Sequence, residues 1–249
     1  MNIVFLTTDD PIYLPAFYDR VLAAYGAQTR EVAIVPPLYK NQTTSRAAWR
    51  YYRTFGLEGV RGLVSRVAHA KTRRRSIASA CRRHGVACNF VADVNAPEFL
   101  EHLRDIGADL LISVSCPQIF KRDLIDLPAL GCLNIHGAAL PLYRGVMPSF
   151  WMLANGEDDA GVSIYFVNEQ IDAGELCGQR IFAIEPHETL DEFLRRSKAI
   201  AADLLIEVLE SLERGDLTRT QLDLSQGSYY SWPDKDAVRR FRAAGRRLW

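Results

Sequence analysis

Short apolar runs alternate with segments of helical periodicity along the first half of the chain. Each run is short and almost wholly apolar, which is typical of strands buried on both faces. Strands that alternate with helices predict parallel βαβ units, and therefore an α/β fold with a mostly parallel sheet and helices on both faces. The predicted strands are 2–6, 30–35, 86–91, 108–114 and 131–136, and the predicted helices are about 13–24, 43–84, 96–106 and 118–127.

The pattern changes in the second half of the chain. Two strands, 161–167 and 176–184, are joined by a short acidic connection, which predicts a hairpin or near-hairpin. Thr189 and Glu192 have the spacing of a capping box, and the amphipathic helix that they begin stops at Gly215. The predicted organisation is one domain over 1–215 with a basic helical insert at about 41–84, and a C-terminal extension over 216–249 that is not an independent domain.

Composition and total charge favour no particular partner, but the local charge does. The 249 residues are 48% hydrophobic and 24% charged, with 30 basic and 30 acidic residues. Residues 40–83 contain twelve basic residues and one acid, whereas 157–216 contain fifteen acids and five bases. The basic segment is expected either to meet phosphate, nucleic acid or an anionic membrane face, or to be a solvated surface facing the acidic half of the molecule.

Several common kinds of site are missing from the sequence. The five cysteines form no CxxC pair, so neither a zinc site nor a disulfide framework is indicated, and a cytoplasmic location is expected. The N-terminal apolar run is too short for a signal peptide, and no run approaches the ~20 apolar residues of a membrane span. The first strand–helix turn has no glycine, and no phosphate loop, HExxH or GxSxG motif occurs. These absences predict chemistry without a metal ion or nucleotide hydrolysis.

One set of polar residues has the composition of a catalytic site. Asn134 and His136 alternate along strand 131–136, so both side chains project from one face at its carboxyl end, where open α/β sheets bind ligands. Asp172 lies in a glycine-bearing turn between the next two strands. Together they would suit acyl transfer to an amine: the amide N–H stabilises an oxyanion, the imidazole handles the proton, and the carboxylate holds the imidazole. A lone histidine at a strand end is more often structural, so this prediction requires that the three side chains meet.

The segments around these residues resemble a known family. "NIHGAALPLYRGVMPSFW" (134–151) and "NEQIDAGEL" (168–176) resemble the formyltransferases that use N10-formyltetrahydrofolate. That family includes methionyl-tRNA formyltransferase, glycinamide ribonucleotide transformylase and the N-formyltransferases of amino-sugar nucleotides. The resemblance is close from about Asp109 to Thr189, weaker over 1–40, and absent over 41–80. It implies a Rossmann-like sheet of the formyltransferase type and N10-formyltetrahydrofolate as co-substrate.

The resemblance also implies roles for individual residues. It makes Asn134, His136 and Asp172 the catalytic residues, and it places the folate pterin against 113–120 and the turn around Asp172. For Gln118 a simple helix-start role is the alternative. The residues implied to bind the cofactor are Ser115, Gln118, Ile119, Leu140, Arg144, Gly145, Ile171 and Gly174.

Two features leave alternatives open at the loop after the histidine. The family commonly has Pro-Ser-Leu-Leu-Pro there, whereas this chain has Gly137-Ala138-Ala139-Leu140-Pro141, a departure that bears on how folate or the acceptor is held. Arg144 is expected either to contact an anionic group of folate or substrate, or to anchor the loop through backbone carbonyls.

The acceptor is predicted less sharply than the chemistry. A primary amine on an amino-sugar nucleotide or a related small metabolite is favoured, with basic residues meeting the pyrophosphate. Family members that act on initiator tRNA carry a further C-terminal OB-like domain, whereas only 216–249 follow the last long helix here. A methionyl-tRNA formyltransferase-like enzyme without that domain is therefore one alternative, and nucleic acid is a less favoured partner. A formyltetrahydrofolate hydrolase and a non-catalytic binding or scaffold protein of the same fold are the others, and a homo-oligomer is compatible with the sequence.

Overall fold

The computed structural model describes residues 1–37 and 43–249, and its centre is a seven-stranded sheet. The strand order is β3-β2-β1-β4-β5-β7-β8, and β6 and β9 form a second, two-stranded sheet. The strands are β1 (Ile3–Thr8), β2 (Thr29–Val35), β3 (Ala87–Phe90), β4 (Leu110–Val114), β5 (Cys132–His136), β6 (Arg144–Gly145), β7 (Asp159–Phe166), β8 (Leu176–Ala183) and β9 (Tyr229–Tyr230).

Helices cover both faces of the large sheet. They are α1 (Leu14–Tyr25), α2 (Thr44–Thr72), α3 (Ile77–Arg83), α4 (Pro97–Asp105), α5 (Arg122–Ile125), α6 (Pro148–Asn155), α7 (Leu190–Arg214) and α8 (Lys235–Ala243). In the described part of the chain, none of these helices combines the length and the apolar character that crossing a bilayer requires.

Strand direction confirms the predicted fold class. The neighbours β3, β2, β1, β4 and β5 are all parallel, whereas β7 runs antiparallel to both β5 and β8. The two strands predicted as a hairpin are therefore paired as expected. The reversal after β5 brings the second half of β7, residues 163–166, beside β5, and the candidate site lies at the carboxyl end of β5.

Alternation along the central strands produces a three-layer core. Ile3 and Phe5 of β1 pack with apolar residues of α1, α3 and α7, while Val4 and Leu6 pack on the opposite face with α4 and Leu124. Burial on both faces of the sheet explains why the first four residues of β1 are all apolar.

The predicted helix 118–127 is shorter in the structure, where α5 covers only four residues. The segment before it is held in a non-helical path by side chains. Gln118 Oε1 accepts the Val94 N–H at 2.8 Å, and its Nε2 donates to the Ala92 carbonyl at 2.8 Å. Asn95 Oδ1 accepts the Lys121 N–H at 2.7 Å. These bonds tie 118–121 to the loop that contains Ala92, Val94 and Asn95, so the helix starts later than its apolar pattern indicates.

The predicted helical insert is two helices and contains a kink. Gly56 has φ 69° and ψ −168°, and this non-helical backbone kinks α2. Arg74, with φ 51°, lies in the short connection between α2 and α3. The capping box between Ser76 and Ser79 then begins α3. The first residues of the predicted basic segment, 40–42, lie outside the described residues.

Residues 216–249 pack against the body of the molecule through α8 and the segment after it. The ring of Phe241 stacks on Phe150 with centroids 4.9 Å apart. The N–H of Leu190 donates to the Arg247 carbonyl at 2.8 Å, so the chain end also contacts the start of α7. Phe241 and Leu248 share a hydrophobic cluster with apolar residues of α6. That 216–249 is no separate domain stays a prediction.

Candidate active site

The carboxyl end of β5 brings polar side chains together with those of β7. Asn134 and His136 flank the buried Ile135. In the antiparallel pairing, Asn134 lies opposite Tyr165 and His136 lies opposite Ser163. Residues directly opposite in paired strands share a face, so four polar side chains line up there.

The two ring nitrogens of His136 have different surroundings. Nε2 lies 2.8 Å from the main-chain carbonyl oxygen of Tyr143, and because a carbonyl only accepts, Nε2 carries the hydrogen. Nδ1 is then unprotonated in the neutral ring, and it lies 3.7 Å from Oδ1 of Asp172. The two side chains are only 7% and 11% exposed. Nδ1 is thus placed to accept a proton where a carboxylate would stabilise the resulting cation.

Asp172 lies in the connection between β7 and β8, and two hydrogen-bond donors hold its carboxylate in place. Its φ of 50° lies in the left-handed region. Oδ1 accepts the Tyr165 hydroxyl at 2.8 Å, and Oδ2 accepts the Gly145 N–H at 2.7 Å. Burial, reinforced by the charge of Asp172, raises the pKa of Tyr165, so the hydroxyl stays protonated and donates to the carboxylate.

Asn134 joins the same hydrogen-bonded chain. Its Nδ2 donates to the Tyr165 hydroxyl at 3.0 Å, so that hydroxyl accepts from the amide and donates to Asp172. An amide NH₂ has two hydrogens, and the second is available to a ligand in the pocket that Asn134 lines. The arrangement offers an oriented N–H donor of the kind that stabilises a developing oxyanion.

The loop after His136 is held against the sheet by Ser163 of β7 and Gln179 of β8. Ser163 Oγ donates to the Ala138 carbonyl at 2.7 Å and accepts the Leu140 N–H at 3.0 Å. Gln179 Nε2 donates to the Leu140 carbonyl at 2.9 Å. The loop backbone therefore finds its partners in two strands that are distant in sequence.

Close packing accounts for the small residues that depart from the family's usual loop. A Cβ added to Gly161 would lie 2.7 Å from the Cβ of Ala139, and Ala138 is completely buried. The loop approaches β7 too closely for larger side chains at these positions. Gly137 lines the pocket, so the departure reaches the site only there.

A pocket of about 750 Å³ opens at these residues, and Asn134, His136 and Asp172 all line it. Ile119 and Ile171 are 65% and 50% exposed at this pocket, and exposed apolar side chains around a concave site are typical of ligand binding. Among the residues implied to bind folate, those that line the pocket are Ser115, Gln118, Ile119, Gly145 and Ile171.

The other three residues implied to bind folate are not among the pocket-lining residues. Leu140 is buried, and a Cβ on Gly174 would lie 1.7 Å from the Phe166 carbonyl oxygen. The guanidinium carbon of Arg144 lies 5.9 Å from the centre of the Tyr229 ring. These contacts give Leu140, Gly174 and Arg144 packing roles around the pocket, and direct contact with folate remains a prediction for them.

A lysine that the sequence did not single out lies elsewhere along the pocket. Lys198 Nζ donates to Ser115 Oγ at 2.9 Å, and Asp10 and Tyr13 line the pocket beside them. Burial lowers the pKa of Lys198, and the negative charge of Asp10 opposes that shift. In the described part of the chain, Lys198 has no carboxylate within 4.0 Å, so it is available to an anionic ligand.

Sequence reasoning identified the catalytic candidates but missed the residues that orient them. Tyr165 and Ser163 do carry a signal, since they alternate along a predicted strand and are polar in an otherwise apolar run. Their partners depend on the register between β5 and β7, which no local pattern specifies. The contribution of Tyr143 is a main-chain carbonyl, which leaves no signature in side-chain chemistry.

Comparison with known proteins places the chain among formyl transferases. The family model for formyl transferase matches residues 60–209. The methionyl-tRNA formyltransferase of Ruminiclostridium cellulolyticum is 35% identical over 146 residues, which are 59% of this chain and 47% of that protein. That of Thermotoga maritima is 34% identical over 173 residues, covering 68% of this chain and 55% of that protein. The chain thus spans about half the length of the curated relatives it matches.

Solved structures share the fold over most of the chain. A sugar N-formyltransferase from Shewanella sp. FDAARGOS_354 has a TM-score of 0.61 and 19% identity, covering 93% of this chain and 77% of that one. Glycinamide ribonucleotide transformylase 1 from Symbiobacterium toebii has a TM-score of 0.63 and 17% identity, covering 90% and 94%. An N-formyltransferase from Helicobacter canadensis, in complex with folinic acid and dTDP-3-aminofucose, has a TM-score of 0.57 and 14% identity, covering 93% and 71%.

Proposed function

Because the chain belongs to the formyl transferase family, we propose that it transfers a formyl group from N10-formyltetrahydrofolate to a primary amine. One observation carries this proposal. Asn134, His136 and Asp172, which are separated by up to 38 residues in sequence, line one pocket. Tyr165 links Asn134 to Asp172, and Nδ1 of His136 lies 3.7 Å from the same carboxylate. An oriented amide donor, an unprotonated ring nitrogen and a carboxylate are the groups that acyl transfer to an amine requires.

The pocket has the features that a folate co-substrate requires. Its volume of about 750 Å³ lies within the range of small-molecule sites. Ile119 and Ile171 offer apolar surface for a flat ring, and Ser115, Gln118 and Gly145 are the other pocket-lining residues for which the resemblance implies contact. When bound, N10-formyltetrahydrofolate would supply the electrophilic formyl carbon.

Each of the three side chains has a distinct task in the proposed mechanism. The free N–H of Asn134 donates to the formyl oxygen as negative charge develops on it. Nδ1 of His136 accepts the proton that the attacking amine releases, because the Tyr143 carbonyl keeps the ring hydrogen on Nε2. Asp172 stabilises the imidazolium across 3.7 Å, and Tyr165 and Gly145 keep that carboxylate in place. The proton is then returned to the departing nitrogen.

The acceptor that we favour is a small anionic amine, such as an amino-sugar nucleotide. Lys198 supports this choice, since it lines the same pocket and has no carboxylate partner among the described residues. A half-buried cation without a carboxylate partner among the described residues favours a phosphate or pyrophosphate group in the ligand. The Helicobacter canadensis enzyme of the same fold is in complex with dTDP-3-aminofucose, so this architecture accommodates such an acceptor.

A methionyl-tRNA formyltransferase activity is the second candidate, favoured by one observation. The curated relatives cited above are methionyl-tRNA formyltransferases at 34–35% identity. The basic helix α2 would then meet the phosphates of the tRNA.

A single assay distinguishes these functions. N10-Formyltetrahydrofolate consumption is measured with the enzyme alone, with dTDP-linked amino sugars, and with methionyl initiator tRNA. We expect consumption only with an amino-sugar nucleotide, accompanied by a formylated product in the mass spectrum. Consumption with tRNA alone supports the second candidate, and consumption without any amine supports a hydrolase. No consumption under any condition contradicts the proposal and supports a non-catalytic protein of the same fold.

A further inference from the structure

The segment 228–230 runs alongside the loop that supplies the partners of His136 and Asp172. β9 pairs with β6 in parallel: the Arg144 N–H donates to the Ser228 carbonyl at 3.0 Å, and the Val146 N–H donates to the Tyr230 carbonyl at 2.8 Å. The two segments are more than 80 residues apart in sequence. Their pairing therefore joins the region after α7 to the candidate active site.

A side chain of this segment fixes the residue that orients the imidazole. The Tyr143 N–H donates to Ser228 Oγ at 2.9 Å, while the Tyr143 carbonyl accepts from His136 Nε2. Tyr143 has φ 56°, in the left-handed region that side chains other than glycine rarely adopt. A backbone in that region persists only where its surroundings hold it, so Ser228 helps to keep the Tyr143 carbonyl directed at His136.

The pairing also fixes the donor to Asp172. Successive N–H groups along an extended segment point in opposite directions. The N–H groups of Arg144 and Val146 are directed at β9, so the intervening Gly145 N–H is directed away from it and donates to Asp172. A Cβ on Gly145 would lie 2.3 Å from the Tyr230 carbonyl oxygen, which shows how closely the two segments approach.

Aromatic packing holds 228–230 against the rest of the molecule. The rings of Tyr230 and Tyr143 are stacked with centroids 5.0 Å apart, and the Trp151 ring lies 4.7 Å from that of Tyr230. The Trp151 indole N–H donates to the Ser231 carbonyl at 2.9 Å. The segment is thus anchored on α6 as well as on β6.

We propose that 228–230 is a positioning element of the active site, and that Ser228 acts through Tyr143 to keep the hydrogen of neutral His136 on Nε2. The expected effect on kcat rests on the proposed function, whereas the expected effect on the His136 tautomer does not. With the hydrogen on Nε2, Nδ1 is the nitrogen that accepts a proton beside Asp172. Without the hydroxyl of Ser228, the Tyr143 carbonyl is held less firmly, and the hydrogen is shared between the two nitrogens.

The test compares Ser228→Ala with Ser228→Thr, which keeps a hydroxyl. The ¹⁵N shifts of the His136 ring report its tautomer without any substrate, and the signals are assigned by their absence in His136→Asn. In the wild type and Ser228→Thr we expect hydrogen on Nε2. In Ser228→Ala we expect a mixture of tautomers and a kcat lower by about ten- to a hundredfold, with KM for N10-formyltetrahydrofolate nearly unchanged.

Ser225→Ala is the matched control, because Ser225 lies three residues before Ser228 and, among the described residues, its side chain bonds only to Asp223 and Gln226. The His136 tautomer and the kcat of Ser225→Ala should equal those of the wild type. Wild-type ¹⁵N shifts in Ser228→Ala would overturn the inference, even if the melting temperature fell. A wild-type enzyme without formyl transfer would contradict the proposed function instead, and the ring-nitrogen measurement would still decide the positioning role.

Discussion

The hydroxyl of Tyr165 connects the amide of Asn134 to the carboxylate of Asp172, and both contacts depend on one oxygen atom. Tyr165→Phe removes that oxygen and leaves the buried ring. We expect kcat to fall by about tenfold or more, because both of these proposed catalytic side chains lose orientation. Steady-state kinetics at saturating amine measures this loss.

Tyr25→Phe is the matched control for the loss of a hydroxyl. Its hydroxyl lies 3.4 Å from Glu213, and neither residue lines the pocket, so the kcat of Tyr25→Phe should not change. An unchanged kcat in Tyr165→Phe would show that the hydrogen-bonded chain does not orient the site.

Changing the amide of Asn134 or the carboxylate of Asp172, which bond to either side of the Tyr165 hydroxyl, should lower kcat further. We expect Asn134→Ala and Asp172→Asn to fold normally and to lose a factor of about 10²–10³ in kcat, the usual effect of losing one oxyanion donor or its electrostatic equivalent. Circular dichroism checks folding, and kcat is measured with the acceptor that the assay identifies. Asn89→Ala, at the opposite edge of the sheet, is the control. Near wild-type turnover in either variant would reject its assigned role.

The residues that carry the proposed chemistry could be predicted because their alternation on one strand is visible in the sequence. Asn134 and His136 are two positions apart at a strand end, and Asp172 lies in a recognisable turn. The role of Tyr165 could not be predicted, since it depends on the register of β7 against β5.

At the scale of elements, the capping box of α7 makes a separable contribution to stability. The Glu192 N–H donates to Thr189 Oγ1 at 3.2 Å, and Glu192 accepts the Thr189 N–H at 2.9 Å. We expect Thr189→Ala to lower the free energy of unfolding by about 1 kcal/mol, the usual effect of losing an N-cap side chain. Urea unfolding at neutral pH measures it.

The effect of Thr189→Ala should depend on pH. Hydrogen bonds from the Thr189 N–H and hydroxyl keep the pKa of Glu192 below its usual value of 4.5. A lowered pKa stabilises the folded state above that value, and the stabilisation is lost as the pH falls and the carboxylate is protonated. The difference between wild type and variant should therefore shrink in acid. Thr72→Ala, at the C-terminal end of α2, is the control. A pH-independent difference in unfolding free energy between wild type and Thr189→Ala would contradict this account.

Prediction at this scale succeeded where one element's own sequence decides its structure. The buried strands and the cap of α7 follow from local pattern, and the structure confirms them. The predicted helix 118–127 was wrong over 118–121, because the side chains of Gln118 and Asn95 bridge two loops, and it also ends two residues earlier than predicted, at Ile125. The pair β6 and β9 was not predicted, because two-residue strands have no periodicity to detect.

At the scale of the molecule, the packing of α8 predicts a single cooperative unit. Phe241 is 1% exposed and stacks on Phe150. We expect Phe241→Ala to lower the free energy of unfolding by about 3–5 kcal/mol through the cavity it leaves. Calorimetry should show one transition at a lower temperature in this variant.

Phe90→Ala is the matched control, because Phe90 lies on the edge strand β3 and is 70% exposed. Its melting temperature should stay close to that of the wild type. Two separate transitions in Phe241→Ala would instead show that 216–249 unfolds by itself, contrary to the predicted organisation.

The bond between Tyr143 and Ser228 spans 85 residues, which has a consequence for synthesis on the ribosome. At translation speeds of about 5–20 residues per second, Ser228 is made several seconds or more after Tyr143. Once Asp172 has been made, a nascent chain contains all three proposed catalytic side chains, yet the loop around Tyr143 still has no β9 to pair with. The loop around Tyr143 can therefore reach its final hydrogen bonding only late in translation, when the segment after α7 has been made and has paired with β6.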